Sequence, residues 1–266
     1  MRHMHEPMTT AGAPHDADPA ECEDVTLLPL AITQVDATYG CAAGLTPDGR
    51  WLRPEPVYLA DVAGDAPRYA YGRPVHCRLA PSRGADRRPE DRERVAWLPA
   101  AQAVGDWDAS RLEAWLSSHC DASVAAGFAG ARSAALIEAT PERIELLRTT
   151  RQRHLVKLAF RDAAGESHAW IVPDLAFAQA VTAILRDAPD SAARADRLVE
   201  CLGATRMFLA IVLTKPLGHG RGVIRGCQPL VSGVHTFPPY RDGFAALSGE
   251  SAAPAAFENR STLEVK

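Results

Sequence analysis

Apolar residues in this chain recur in short runs that end at turn-forming residues, which predicts a mainly β protein. The run 207–213 (MFLAIVL) is too short to cross a membrane and is rich in strand-favouring residues, so it predicts a strand buried on both faces. Val25–Val35 predicts a second strand, with Pro29 at an edge or a bulge. His154–Arg161 alternates apolar with polar residues, as a half-buried strand does.

Turn chemistry indicates how these strands pair. Thr46-Pro47-Asp48-Gly49 predicts a tight hairpin between 40–45 and 50–53, because proline presets the first turn residue and glycine accepts a positive φ. Ala163-Ala164-Gly165 predicts a second hairpin, into 167–172. Further strands are predicted at 73–81, 93–99 and 224–234, the last pairing with 207–213 in a long hairpin tipped by Gly218–Gly222.

Three helices are predicted among the strands. Ser110 and Glu113 match a capping box that opens a helix with Leu112, Trp115 and Leu116 on one face. Asp174 caps a helix through 185, and another runs over 190–202 with Gly203 as its terminator. Thr140-Pro141 could open a helix or lie in a strand, and we favour the strand.

Two sets of short strands, each with added helices, predict an α+β chain of two tandem antiparallel barrels of the oligonucleotide/oligosaccharide-binding (OB) type. We expect an acidic disordered tail over 1–24 and a first barrel over 25–135, with a helix near 110–119. The Ala-rich stretch 122–135 is the candidate connection. A second barrel is expected over 140–244, with helices near 174–186 and 190–202, followed by a disordered tail over 245–266.

Charge is unevenly distributed along the 266 residues. The chain has a net charge of −4, yet residues 1–24 hold one basic residue against six acids, so the rest is close to neutral. Two windows, 146–161 and 206–241, contain no acid and several arginines or lysines. They indicate a basic patch for binding, although any single arginine is more typical of an ordinary solvated strand face.

Motifs for catalysis are missing from the sequence. It has no Walker A, H-E-x-x-H or G-x-S-x-G motif, so we expect no enzyme activity, no catalytic residues and no cofactor. A zinc site from His219, Cys227 and His235 would need unusual spacing, so we expect no metal site. Six scattered cysteines and no apolar leader favour a cytoplasmic protein without a membrane partner.

Basic residues interleaved with aromatic ones favour nucleic-acid binding, since OB barrels stack bases on aromatic rings while cations follow the phosphates. The expected DNA- or RNA-binding residues are Trp51, Arg53, Lys215, His219, Arg221, Arg225 and Tyr240. Each aromatic among them could instead belong to the core. The alternative function is an adaptor that docks onto a larger ATPase or nuclease and binds little nucleic acid, which the nearly neutral body favours.

Segments at both ends of the ordered chain resemble the bacterial dual-OB-domain family. The likeness lies in 40–45 (GCAAGL), 49–54 (GRWLRP), 208–216 and 231–240 (VSGVHTFPPY), and it spans about residues 25–242. The resemblance implies two OB barrels and a nucleic-acid or nucleotide-binding role, often as an accessory to nucleic-acid processing or antiviral defence. It carries over no catalytic residue. The acidic tail and the Ala-rich insert depart from the family pattern.

Overall fold

A computed structural model of the chain describes residues 21–83, 87–98, 107–150, 152–216 and 223–248. It contains two closed five-stranded β-barrels in tandem, as the sequence predicted. Among the described residues, no helix has the length and apolar character needed to span a membrane.

Barrel 1 has its strands in the order β1-β2-β3-β5-β4, and β4 closes onto β1. Strands β3 and β5 run parallel to each other, and the other pairs of neighbouring strands in barrel 1 run antiparallel. This is the OB arrangement. A short helix, α1, lies between β3 and β4. The bounds are β1 Glu23–Gln34, β2 Gly40–Leu45, β3 Trp51–Glu55, α1 Leu59–Val62, β4 Val75–Pro81 and β5 Asp91–Trp97.

Barrel 2 repeats this order as β6-β7-β8-β10-β9, with β8 and β10 parallel. Helices α4 and α5 lie between β8 and β9, the position that α1 occupies in barrel 1. Helices α2 and α3 connect the two barrels, and α6 follows β10. The bounds are α2 Ala109–His119, α3 Val124–Gly127, β6 Ala134–Arg148, β7 His154–Asp162, β8 Ser167–Ile171, α4 Leu175–Leu185, α5 Ser191–Gly203, β9 Arg206–Leu213, β10 Pro229–Phe237 and α6 Tyr240–Ser248.

The predicted turns are present. Gly49 closes the β2–β3 hairpin at φ 83° and Gly165 closes the β7–β8 hairpin at φ 86°, where a side chain would be strained. Pro29 lies at a bulge in the pairing of β1 with β2. Asp174 caps α4, because its Oδ1 accepts the N–H of Phe177 at 3.0 Å.

Five sequence predictions of element bounds need correction. Strand β1 begins at Glu23, inside the expected tail 1–24, and helix α6 continues to Ser248, inside the expected tail 245–266. Helix α2 is capped by Asp108, whose carboxylate accepts the N–H of Arg111 at 2.8 Å, rather than by Ser110. Barrel 2 begins at Ala134 rather than near 140, since β6 pairs with β9 from that residue onward. The last strand begins at Pro229 rather than at 224, because Arg225 and Gly226 adopt positive φ in a turn.

Apolar side chains form three clusters. Two fill the barrels, around Leu27 and Leu79 in barrel 1 and around Leu158 and Ile211 in barrel 2. The third cluster lies between the barrels and combines residues of both. The two barrels therefore share an apolar interface.

Candidate nucleic-acid interface

The outer face of β2 and β3 in barrel 1 packs against barrel 2. Side chains on a strand alternate between faces, so Ala42 and Leu52 fill the barrel while Ala43 and Trp51 point outward. The outward residues form one buried cluster with residues of β6 and β9, namely Leu136, Phe208, Ala210 and Val212. In OB folds this strand 2–3 face binds the ligand. In barrel 1 it is occupied by barrel 2.

Backbone contacts hold this interface at very short range. A β-carbon at Gly233 would lie 1.7 Å from the carbonyl oxygen of Leu30, so only glycine fits there. The neighbouring His235 is buried, and its Nε2 lies 2.8 Å from the same oxygen. Burial lowers the pKa of His235 to about 4, so its ring is neutral at pH 7 and donates from Nε2.

A buried carboxylate makes a second polar link. Asp174 Oδ2 accepts the Val234 N–H at 2.7 Å and the hydroxyl of Tyr71, from barrel 1, at 2.9 Å. Burial raises the pKa of Asp174 to about 6 although these hydrogen bonds favour the anion. Asp174 thus joins barrel 1 to the strand and helix of barrel 2.

The β4–β5 loop of barrel 1 (82–90) also contacts barrel 2. Arg88 Nη1 donates to the carbonyl oxygen of Leu213 at 3.3 Å. The carboxylate of Glu90 is buried and accepts from the N–H and hydroxyl of Ser133, at 2.8 and 2.6 Å. This loop contributes to ligand binding in OB folds, and here it holds the second barrel.

Barrel 2 keeps its equivalent face open. The outward positions of β7 are Leu155, Lys157, Ala159 and Arg161, of which Leu155 and Arg161 are exposed and the other two half-buried. On β8 they include Ser167 and Ala169, both exposed. The face ends at the β6–β7 connection, because Arg148 of β6 pairs with His154 of β7 at that end.

Cations concentrate where β6 and β7 meet the β6–β7 loop. Arg148 and Arg153 are exposed, and neither forms an ion pair with any described residue. His154 pairs with Arg148 across the strands. Further along, Lys157 Nζ lies 3.6 Å from Glu145 Oε2, so the charge there is partly balanced. The loop end of the face is therefore its most positive part.

Three of the expected site residues are buried. Trp51 is 7% exposed in the inter-barrel cluster, and Tyr240 is 6% exposed and packs edge-on against Phe177. Arg53 is 1% exposed, and its Nη1 lies 3.6 Å from Asp91 Oδ1. The rings of Trp51 and Tyr240 are therefore unavailable for stacking, and the Arg53 guanidinium is unavailable for binding phosphates. These side chains support the interface and the core instead.

The remaining expected residues belong to the β9–β10 loop. Lys215 is exposed and lies near Glu55 and Asp91. Burial raises the pKa of both carboxyl groups, and the positive charge of Lys215 partly offsets that rise. Arg225 is exposed, but its guanidinium donates to the carbonyl oxygens of Gly130 and Arg132. His219 and Arg221 lie outside the described residues. The structure thus brings Arg53 and Lys215 to one acidic cluster and places Arg225 against the α3–β6 connection.

Arg148, Arg153, His154 and Lys157 were not among the expected site residues. Their signal was the acid-free window 146–161, which the sequence did show. Arg148 and His154 come together because β6 and β7 pair there in register, and Lys157 lies three residues further along β7.

Two other groups could hold a ligand. Ligand atoms of Asp162, Glu166 and His168 lie within 4.8 Å of one another, but the Asp162 carboxylate already accepts two N–H groups of the β7–β8 turn and the N–H of Val124 in α3. A cleft of about 440 Å³ lies between Arg161 and Arg206. Both arginines are paired with glutamates. The outer β7–β8 face is the stronger candidate.

No protein-family model matches the chain, and a search of curated proteins returns no match.

Proposed function

We propose that the chain is a non-catalytic accessory module that binds DNA or RNA, and that it does so through the outer β7–β8 face of barrel 2. The observation that carries the proposal is the difference between the barrels. The ligand face of barrel 1 is buried around Trp51, whereas that of barrel 2 is open and ends in Arg148 and Arg153.

Binding on this face is mainly electrostatic. Arg148, Arg153 and Lys157 follow the phosphates, while Leu155, between Arg153 and Lys157, and Ala159, beyond Lys157, offer apolar contacts on the same face. Contacts of this kind make affinity fall steeply with salt, by a log–log slope of roughly 0.7–0.9 per phosphate neutralised. Single-stranded and structured nucleic acids both present such phosphates.

The resemblance to the dual-OB-domain family supports an accessory role in nucleic-acid processing or antiviral defence, in the cytoplasm. In that setting the module would deliver nucleic acid to a larger ATPase or nuclease. The rigid inter-barrel contacts suit a carrier that presents one face while its other barrel acts as a support.

The test is a titration of labelled single-stranded and hairpin DNA and RNA with the wild-type chain and with Arg148→Ala/Arg153→Ala/Lys157→Ala. We expect a loss of affinity of at least tenfold in the triple variant, on the scale of about 0.5–1.5 kcal/mol per charged contact. The salt slope should become shallower by roughly 2–3.

A control removes Arg186 and Arg197, which are exposed on and beside helices α4 and α5. Arg186→Ala/Arg197→Ala should leave affinity nearly unchanged. An equal loss per removed charge in the two variants would show that net charge alone drives binding. No binding of any probe at low salt would end the proposal.

An adaptor role is the second candidate, and exposed apolar residues favour it. Leu147 and Leu155 pair across β6 and β7 and are each 38% exposed, and on barrel 1 Tyr58 is 45% exposed and stacks on Tyr39. Contiguous exposed apolar side chains mark sites of protein–protein interaction, and tyrosine is enriched among the residues that carry the binding energy there. Purification of the wild type from its host with a stoichiometric ATPase or nuclease, and loss of that partner in Leu147→Ser/Leu155→Ser, would favour the adaptor.

A further inference from the structure

Barrel 1 carries a group of five arginines, Arg50, Arg78, Arg83, Arg87 and Arg92, here called the arginine row. They come from the β2–β3 turn, β4, the β4–β5 loop and β5. All but Arg92 are exposed. The row lies on the part of barrel 1 that barrel 2 leaves uncovered.

Acids at the start of the described chain pair with this row. Asp24 accepts from Arg78 at 2.6 and 2.8 Å, and Glu21 lies 3.3 Å from Arg83. Glu23 lies between two arginines, 3.1 Å from Arg50 and 3.9 Å from Arg92. Three acids within four residues thus engage four arginines.

The charge of the row depends on these acids. With Asp48, which pairs with Arg50 at 2.9 Å, four carboxylates face five guanidinium groups and leave a net charge of about +1. Without Glu21, Glu23 and Asp24 the same surface would carry about +4. Exposed ion pairs of this kind are individually weak and exchange readily with other anions.

The β4–β5 loop that bears part of the row also contacts barrel 2. Arg88, from the same β4–β5 loop, donates to Leu213, the last residue of β9. Lys215 follows two residues later and lies near Asp91, the first residue of β5. The loop that bears Arg83 and Arg87 therefore adjoins the base of the β9–β10 loop.

We propose that the arginine row is a second phosphate-binding surface, which extends the nucleic-acid path from barrel 2 onto barrel 1, and that the N-terminal acids are its intramolecular competitor. The proposal rests on the proposed function. A tethered acid competes at a high effective concentration, so it would limit long strands while leaving short ones unaffected. The sequence upstream adds Glu6, Asp16 and Asp18, which extend the same acidic segment.

The test uses the full chain with Glu21→Gln/Glu23→Gln/Asp24→Asn. An OB barrel covers roughly 4–16 nucleotides, so single strands of about 8 and about 30 nucleotides distinguish one barrel from two. We expect the variant to bind the long strand on the order of tenfold more tightly, with a salt slope steeper by roughly 2. Affinity for the short strand should change less than about twofold.

Two further proteins isolate the cause. Asp187→Asn/Asp196→Asn/Glu200→Gln removes three exposed acids on and beside α5, far along the chain from the row, and controls for net charge. Adding Arg83→Ala/Arg87→Ala to the N-terminal variant should abolish its gain. Thermal melting checks that each protein is folded.

A gain confined to the long strand and reversed by the arginine changes supports the proposal. A gain no larger than that of the control, or an equal gain on the short strand, overturns it while the proposed function stands. If the wild type and the N-terminal variant both fail to bind any strand, the proposed function fails and this inference fails with it.

Discussion

Gly233 of β10 lies directly against the backbone of Leu30 in β1, so close that a β-carbon at position 233 would stand 1.7 Å from the Leu30 carbonyl oxygen. Both residues lie at bulges, where the registers of β1 with β2 and of β10 with β9 shift. Irregular backbone in each barrel therefore forms a close contact between them.

Gly233→Ala should destabilise the protein because one barrel must move to admit the methyl group. We expect a loss of about 3 kcal/mol in the free energy of unfolding, at the upper end for overpacking. Denaturant unfolding measures it. Gly203→Ala is the control, since nothing lies within 4 Å of a β-carbon there. Equal stability of the two variants would mean that the barrels are not in this close contact.

Arg53→Met should lower stability by about 1–3 kcal/mol at pH 7, because it removes the buried cation beside Asp91 and leaves that carboxylate only Arg88, at 3.3 Å. The loss should shrink in acid, where Asp91 is protonated, since burial already raises its pKa. Arg92→Met is the control, because that arginine is partly exposed and its nearest acid is 3.9 Å away. An unchanged stability of Arg53→Met would contradict a structural role.

Asp174→Asn should change how stability depends on pH. The folded-state pKa of Asp174 is raised to about 6, so its contribution to stability is present in acid and is lost as the pH rises through about 6. His235, with its pKa lowered to about 4, contributes in the opposite direction, and its contribution is lost as the pH falls from about 6.5 toward 4. The two effects offset each other in the wild type.

In Asp174→Asn only the effect of His235 remains. Its stability should fall relative to the wild type by about 3 kcal/mol between pH 6.5 and pH 4, measured by urea unfolding across that range. Asp36→Asn should show the opposite trend, because backbone N–H groups of Thr38 and Tyr39 lower the pKa of that exposed carboxylate. A difference between Asp174→Asn and the wild type that does not vary with pH would contradict the buried anion.

Trp115→Ala should cost about 3 kcal/mol through the cavity it leaves between α2 and the inter-barrel cluster. The ring packs edge-on against Trp107 at 5.5 Å and stacks on His119 at 4.1 Å. Ser118→Ala, on the exposed side of the same helix, is the control. An unchanged melting temperature would show that Trp115 is not part of that packing.

The sequence predicted the hairpins and the paired barrels because turn residues act locally. Gly49 and Gly165 occupy the positive-φ positions that their turns require, whatever the rest of the chain does. The helix start at Asp108 was missed because Ser110 offered an equally good capping pattern two residues later.

The site was harder to predict because one strand can be covered on both sides. Trp51 and Leu52 are adjacent and both buried, one by barrel 2 and one by the interior of barrel 1. A strand that is apolar on both faces indicates this double burial, but it does not say what covers the outer side. The sequence therefore made Trp51 a candidate for stacking. It gave Arg148 and Arg153 only as part of a basic window.

Hydroxyl-radical footprinting of side chains, with and without bound nucleic acid, tests most directly whether barrel 2 provides the binding face. We predict protection of Leu147 and Leu155, which pair at the loop end of the outer β7–β8 face and are each 38% exposed, and no change at Tyr58 of barrel 1, which is 45% exposed. Protection centred on Tyr39 and Tyr58, with Leu147 and Leu155 unchanged, would contradict the assignment of binding to barrel 2.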